Sequence, residues 1–312
     1  MTKSLYRTLC QEEQSIPVFS RDWWLDAVCG DDWDVLLFEK KGKIYAAMPL
    51  YVPCKNIITM PHYTQAMGVW FAAETPDTKY ASMLEKRQVI CNHFIDLLKP
   101  YRCFYQNFSH AFTDWLPFYW AGFSQTSRYT YILHDIKRFD KIWGDMSQQT
   151  RRNINNAKKA EICVQSGIKT TVFLNIVEQT FRRQHQKNKQ NEAVLQRIMD
   201  VARTREQGEI FGGYDKDGNL HAAVFVVWQD NAAYYIAGGG DPELRSSGAH
   251  SLVMWETIRF VSRFTDTFDF EGSMLPGVER FFREFGAVQT PYFLITRGEP
   301  GLIDRIRIKC SI

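Results

Sequence analysis

The chain has 312 residues, 45% of them hydrophobic and 14% aromatic, which is enough to bury two cores and makes two domains the expectation. A formal net charge of +3 gives no global bias towards nucleic acid or a membrane surface. The seven cysteines form no CxxC pair, so they argue against a zinc site or a disulfide framework and fit buried thiols in a reducing compartment.

The N-terminus lacks the apolar core of a signal peptide, and the longest apolar run, Ala222 to Trp228, is too short to span a bilayer. A cytoplasmic protein without a transmembrane segment is expected. A helix is predicted from Ser20 to Val28, stopped by Gly30. Strands follow at 34–39 and 44–52 around the turn Lys41-Gly42, with a short strand at Ile57-Ile58 between Pro53 and Pro61. The loop PHYTQAMG (61–68) precedes an amphipathic helix over 80–98, stopped by Pro100. A strand at 103–108, a short aromatic helix at 112–121 and a strand at 123–133 end this α/β segment near residue 135.

Ser147 then caps a polar helix over 147–161, and a strand-like stretch runs from Cys163 to Gly167. Helices are predicted at about 170–188 and 191–207. Strands come at 209–215, 220–228 and 231–237, with Asp217-Gly218 as a hairpin signal. A helix over 246–263, a strand at 268–271, a helix at 277–285, a strand at 288–297 and a basic tail close the chain. The halves repeat each other: KGKIYAA (41–47) returns as DGNLHAA (217–223), and AGFSQT (121–126) as FGAVQT (285–290). The interval is longer in the first half, where the PHYTQAMG loop lies. This reads as a duplicated domain with an inserted loop, giving domains 1–135 and 136–312.

Residues 232–254 concentrate the chemistry. Gly238, Gly239 and Gly240 follow the β-rich Tyr234-Tyr235-Ile236, and glycine there signals a bulge or a close approach. Arg245, Ser246 and Gly248 lie in a loop that opens a helix, a natural seat for phosphate. The plainer alternative is a turn whose serine merely caps the helix. Asp269 and Glu271 alternate along a strand and would share one face, where a carboxylate could take a proton from an attacking amine. The alternative there is an ion pair with Arg151, Arg152 or Arg280. Arg151, Arg152, Lys158 and Lys159 lie on the polar helix, as a solvated face or as phosphate contacts. No His/Cys/Asp cluster has metal-like spacing, so His185 and His250 are not read as metal ligands, and no metal is expected.

The order of elements from residue 147 on resembles the GNAT acyltransferase fold. RSSGAH (245–250) partly matches that family's acyl-CoA phosphate loop, Arg/Gln-x-x-Gly-x-Gly/Ala. Arg245 and Gly248 fit, and His250 departs at the last position. The chain more closely resembles the FemAB-like branch with two GNAT domains in tandem, which includes the peptidoglycan-bridge aminoacyltransferases. The stretches that carry this are TRRNINNAKKA (150–160), GGYDKDGNLHAAVFVVW (212–228), the glycine stretch, DFEGS (269–273) and PGVERFFREFGA (276–287).

The resemblance implies an α+β fold of two tandem GNAT-like domains, each a mixed, mostly antiparallel sheet flanked by helices. It implies transfer of an acyl or aminoacyl group to an amine acceptor such as a cell-wall precursor. Acyl-CoA or aminoacyl-tRNA would be the co-substrate, with no tightly bound cofactor. Glu271 and Asp269 become the candidate catalytic residues. Arg245, Ser246, Gly248, His250, Gly238, Gly239, Gly240, Tyr235, Arg151 and Ser273 become ligand contacts, with Thr64 and Gln65 of the inserted loop on the acceptor side. Phe282 stands where the aminoacyltransferases carry a lysine, which counts against an aminoacyl-tRNA donor. His250 crowds a diphosphate, which counts against free CoA. The alternative function is a catalytically inactive GNAT-like module that binds a phosphorylated ligand.

Overall fold

A computed structural model describes residues 2–183, 192–272, 274–299 and 301. These form two compact units, one from the chain up to Arg128 together with the segment from Pro291 on, the other from Tyr129–Thr290.

The first unit opens with α1 (Thr2–Glu12) and α2 (Asp22–Cys29), which Gly30 ends at φ 58°. Strands β1 (Trp33–Lys40) and β2 (Lys43–Cys54) form a hairpin in which Lys40 pairs with Lys43. Its two turn residues, Lys41 and Gly42, have φ of 55° and 77°, the left-handed pair of a type I′ turn. Then come β3 (Ile57–Thr59), β4 (Trp70–Phe71), α3 (Tyr80–Leu98), β5 (Cys103–Asn107) and α4 (Leu116–Trp120). The next strand, β6 (Ser124–His134), crosses into the second unit.

In the second unit follow α5 (Phe139–Asp145), α6 (Gln148–Lys159), β7 (Cys163–Ser166), α7 (Thr170–Arg183), α8 (Glu192–Thr204), β8 (Gly208–Tyr214), β9 (Leu220–Trp228), β10 (Ala233–Gly240), α9 (Ala249–Val261), β11 (Thr267–Asp269) and α10 (Pro276–Arg283). The last strand is β12 (Val288–Arg297). Ser147 caps α6 as expected, its Oγ accepting the Thr150 N–H at 3.1 Å. β8 and β9 form the hairpin that Asp217-Gly218 signalled, through a connection longer than a two-residue turn. Tyr214 pairs with Leu220, and Asp215 Oδ1 accepts the N–H groups of Asp217 and Asn219 at 3.0 and 2.8 Å, organising a longer loop.

The same sheet topology is built twice. β1–β2–β3 is antiparallel throughout and β3 then pairs in parallel with β5, while β8–β9–β10 is antiparallel and β10 pairs in parallel with β11. The strand closing each set does not follow chain order. β5 pairs antiparallel with β12, as in Leu294↔Asn107, and β11 with β6, as in Thr267↔His134. Residues 291–297 therefore complete the first unit's sheet and residues 129–134 the second's. This is why contacts divide the chain at 128 and 290 where sequence order suggested 135.

Each unit has its own core. Met48, Leu50, Phe94, Phe104, Phe108 and Phe118 anchor the first. In the second, Val224 and Val226 of β9 meet Leu252, Val253 and Ile258 of α9, and Phe268, Phe270, Phe282 and Phe285 form an aromatic cluster. Every residue of Ala222–Trp228 is buried, because helices cover β9 on both faces: α9 on one, α7 on the other. Cys10, Cys29, Cys91 and Cys103 are buried, Cys54 is half-buried and Cys163 is exposed.

Candidate active site

β10 is the strand on which the site is built. Its register with β9 slips between Tyr235, opposite Val226, and Ala237, opposite Phe225, so Ile236 is the extra residue of a β-bulge. On its other side β10 pairs with β11 at only two positions, Ala233↔Phe268 and Tyr234↔Asp269. Past Tyr234 the two strands part, and among the described residues that edge of β10 has no ladder partner. An open strand edge offers its backbone N–H and C=O groups to an incoming ligand.

The three glycines remain strand residues, with Gly238, Gly239 and Gly240 opposite Val224, Ala223 and Ala222. They do not break the strand; they allow close approach. A Cβ on Gly239 would come within 2.6 Å of the Ile176 carbonyl oxygen and 2.9 Å of Thr180 Oγ1 on α7. Thr180 Oγ1 accepts the Gly240 N–H at 3.1 Å. A Cβ on Gly238 would come within 2.5 Å of the Tyr235 hydroxyl, so the phenol lies across that glycine.

The expected alternation through Glu271 needs correction. β11 ends at Asp269, and Glu271 has a left-handed backbone with φ 60°. Asp269 Oδ1 accepts the Glu271 N–H at 2.7 Å and so closes a turn, a local bond the strand pattern does not encode. Gly272 follows at φ 64°, where a Cβ would overlap the Tyr129 carbonyl of β6. Asp269 is 1% exposed and also accepts the Thr130 hydroxyl.

The structure nevertheless brings the two carboxyls together with Tyr234 and Tyr235 where β10 and β11 part. Glu271 Oε1 is buried and accepts no hydrogen bond from the described residues, while the rest of the residue is only partly covered. Burial, and then the charge of Asp269, hold the Glu271 carboxyl well above the usual carboxylate range. Burial raises both phenols as well, with Glu271 contributing to each. The ion-pair alternative is not realised with Arg151 or Arg280. Arg151 donates to the carbonyls of Trp143 and Gly144 at 3.0 and 2.9 Å, and Arg280 pairs with Glu284 at 2.7 Å.

The loop after β10 ends in a single 3₁₀ turn, Arg245–Ser247, and Gly248 at φ 75°. A Cβ on Gly248 would overlap the Asn153 carbonyl of α6, so position and conformation both require glycine. Several amides here are bonded within the loop. Ser247 N–H donates to the Leu244 carbonyl at 3.2 Å, Gly248 N–H to that of Arg245 at 3.4 Å, and Ala249 N–H to Ser247 Oγ at 3.2 Å. Gly248 is the N-cap residue of α9, and Ser247 before it is the serine that accepts a helix N–H, while Ser246 is exposed. Arg245 is exposed too, with no carboxylate partner among the described residues. His250, in the first turn of α9, sets its ring against the edge of Phe281 with centroids 5.0 Å apart. Its Nε2 is buried and bonds to no described residue. Burial, then Arg245, pull its pKa down to about 4, so the imidazole is neutral near pH 7.

Thr64 and Gln65 belong to the first unit. Thr64 Oγ1 accepts the Trp24 indole N–H at 3.0 Å and donates to the His62 carbonyl at 3.1 Å, and the Gln65 carbonyl accepts Asn107 Nδ2 at 2.8 Å. Ser273 and His185 lie outside the described residues. Among the described residues no group of three or more His, Cys, Asp or Glu could hold a metal ion. Thr130 and Thr180 carry no sequence signal, because each reaches the site from an element distant in the chain.

Residues 144–283 match the family of acetyltransferase (GNAT) domains, and the second unit carries such a domain. The chain shares its fold with FemX (TM-score 0.70, 11% identity, covering 94% of this chain and 96% of that one). It is also similar to L-PGS from Bacillus licheniformis (TM-score 0.53, 11% identity, 90% and 88% covered). A third likeness is to a tandem GNAT protein from the clavulanic acid biosynthesis pathway (TM-score 0.52, 9% identity, 95% and 94% covered). No curated protein sequence matches the chain. The mixed, mostly antiparallel sheet flanked by helices is the architecture this chain shares with them.

Proposed function

We propose that the second unit transfers an acyl or aminoacyl group from an activated carrier directly to an amine, with Glu271 as proton acceptor. The observation that carries this is the buried Glu271 Oε1, without a hydrogen-bond partner among the described residues, where β10 and β11 separate. An amine attacks only when neutral, and a carboxylate of raised pKa is a stronger base than an ordinary one. In the proposed step the amine nitrogen bonds to the carrier's carbonyl carbon and gives its proton to Glu271. Backbone N–H groups on the open edge of β10 hold the developing oxyanion. The C–S or C–O bond to the carrier then breaks, and the leaving sulfur or oxygen takes the proton held by Glu271, relayed through the Tyr235 hydroxyl, which burial keeps protonated. No covalent enzyme intermediate is needed.

The donor is best read as a carrier other than free CoA. A diphosphate seat needs loop N–H groups that are not already bonded, and those of Ser247, Gly248 and Ala249 are engaged within the loop. The neutral ring of His250 fills the position where the acyl-CoA loop has a small residue. The resemblance to the peptidoglycan-bridge aminoacyltransferases supports an amine acceptor of the cell-wall-precursor class. Isothermal titration of the wild type and Arg245→Ala with CoA and with charged tRNA tests the donor. Weaker binding of a phosphorylated donor in Arg245→Ala is expected. Micromolar CoA binding lost in that variant would overturn the preference against CoA, and no binding of either by the wild type would favour the inactive module.

A further inference from the structure

The second unit carries a cavity apart from the site on β10. Its sheet ends on β7, which among the described residues pairs with β8 alone and leaves its other edge open. Between that edge strand and the outer side of α9 lies a trough of about 670 Å³. None of residues 233–250 or 269–271 lines it. Its volume falls in the range of single small-molecule sites, ~300–1,000 Å³.

The lining has two parts. The floor is apolar, made by Ile162, Val164, Phe211 and Leu252. Around it stand three cations, Lys158, Arg259 and Arg263. Arg259 is paired, its Nη1 lying 3.1 and 2.9 Å from the two carboxylate oxygens of Glu256. The other two have no carboxylate partner among the described residues. Arg263 lies 4.1 Å over the Phe260 ring and donates only its Nε to the Phe260 carbonyl at 3.2 Å. Lys158 lies 5.9 Å over the Trp143 ring. A cation held against an aromatic face keeps its remaining N–H groups directed outward, available to an anion. The rim thus has two positive charges without a carboxylate partner among the described residues, above an apolar floor, and Ser166, Ser262 and Glu256 also line the trough.

We infer that this trough binds one long-chain carboxylate of the fatty-acid type, with the acyl chain along the floor and the carboxylate at Arg263 or Lys158. A polyanion would satisfy the rim but make no use of the apolar floor. A neutral apolar molecule would leave the charges unused. A concave trough of this size takes one chain and does not fit the plane of a bilayer.

The inference is independent of the transfer reaction, and its test needs no substrate. The full chain is titrated with cis-parinaric acid, a fluorescent fatty acid, below its aggregation concentration. Saturable one-site binding is expected, weakened about tenfold or more by the paired substitution Lys158→Ala and Arg263→Ala. Val164→Trp, which fills the trough, should abolish it, and the methyl ester should bind several-fold more weakly. The alanine variant alters only rim side chains, so it stays informative even if Val164→Trp fails to fold. Absence of saturable binding overturns the inference. So does equal affinity of acid and ester, unchanged affinity in a folded alanine variant, or binding seen only with vesicles of anionic phospholipid.

Discussion

Replacing Glu271 by Gln should make the protein more stable at neutral pH while disabling it. A buried carboxyl whose folded pKa lies above its unfolded value, about 4.3 for glutamate, favours the protonated form in the folded state. Its contribution to stability is fully present below pH ~4 and is lost as pH rises through the folded pKa, because the unfolded chain releases the proton first. Glutamine cannot ionise and loses nothing over that window. The two unfolding temperatures should nearly coincide near pH 4, and the variant should pull ahead as pH rises. Each unit by which the folded pKa exceeds the unfolded one is worth about 1.4 kcal/mol. In a chain of this size that corresponds to roughly 2–4 °C.

Glutamine keeps the side-chain length and leaves the Asp269 Oδ1 to Glu271 N–H bond intact, so the left-handed turn should survive. Calorimetric scans of both proteins between pH 4 and 8.5 measure the gap directly. A gap that is constant with pH, or one that favours the wild type at pH 8, would refute the buried-carboxyl argument. With a donor–acceptor pair in hand, turnover of Glu271→Gln should fall by ~10²–10⁴ with little change in binding, and the wild-type rate should rise with pH as Glu271 ionises.

Gly248→Ala should cost about 2–4 kcal/mol in denaturant unfolding, because it adds a left-handed alanine and a Cβ in overlap with the Asn153 backbone. Arg151→Ala should lower stability by about 1–2 kcal/mol through loss of its bonds to the Trp143 and Gly144 carbonyls, and titration should find donor affinity unchanged. Asp215 is held below the usual carboxylate range by Asn219, then by further hydrogen bonds from His221 and Asp217, so its contribution is present above pH ~4 and lost as pH falls. Asp215→Asn should accordingly flatten the acid limb of the stability profile below pH 4, as read by circular dichroism. Gly239→Ala should loosen α7 against β10, seen as faster amide exchange at Gly240, whose N–H bonds to Thr180.

What the sequence alone determined is what depends on neighbours in the chain. The turn at Lys41-Gly42, the Ser147 cap, the helix over 80–98 and the apolar strand at 220–228 are set by local backbone preference and by periodicity, and each stands where the pattern put it. The repeated order of hairpin, helix, strand, helix and strand was legible for the same reason. Helices α1 and α5 went unannounced because single buried residues, such as Tyr6, Cys10 and Ile142, hold them to the rest of the fold.

Tertiary structure decided the rest. Which strand closes each sheet depends on pairings such as Leu294 with Asn107 and His134 with Thr267, which no local pattern encodes. The glycines at 238–240 were visible as an anomaly, but their reason, the approach of α7 and the phenol of Tyr235, exists only in the folded chain. Glu271 was visible as a carboxylate beside a strand. Its raised pKa comes from burial at a splayed strand pair and from the charge of Asp269, and desolvation is a property of the surroundings that no residue carries by itself.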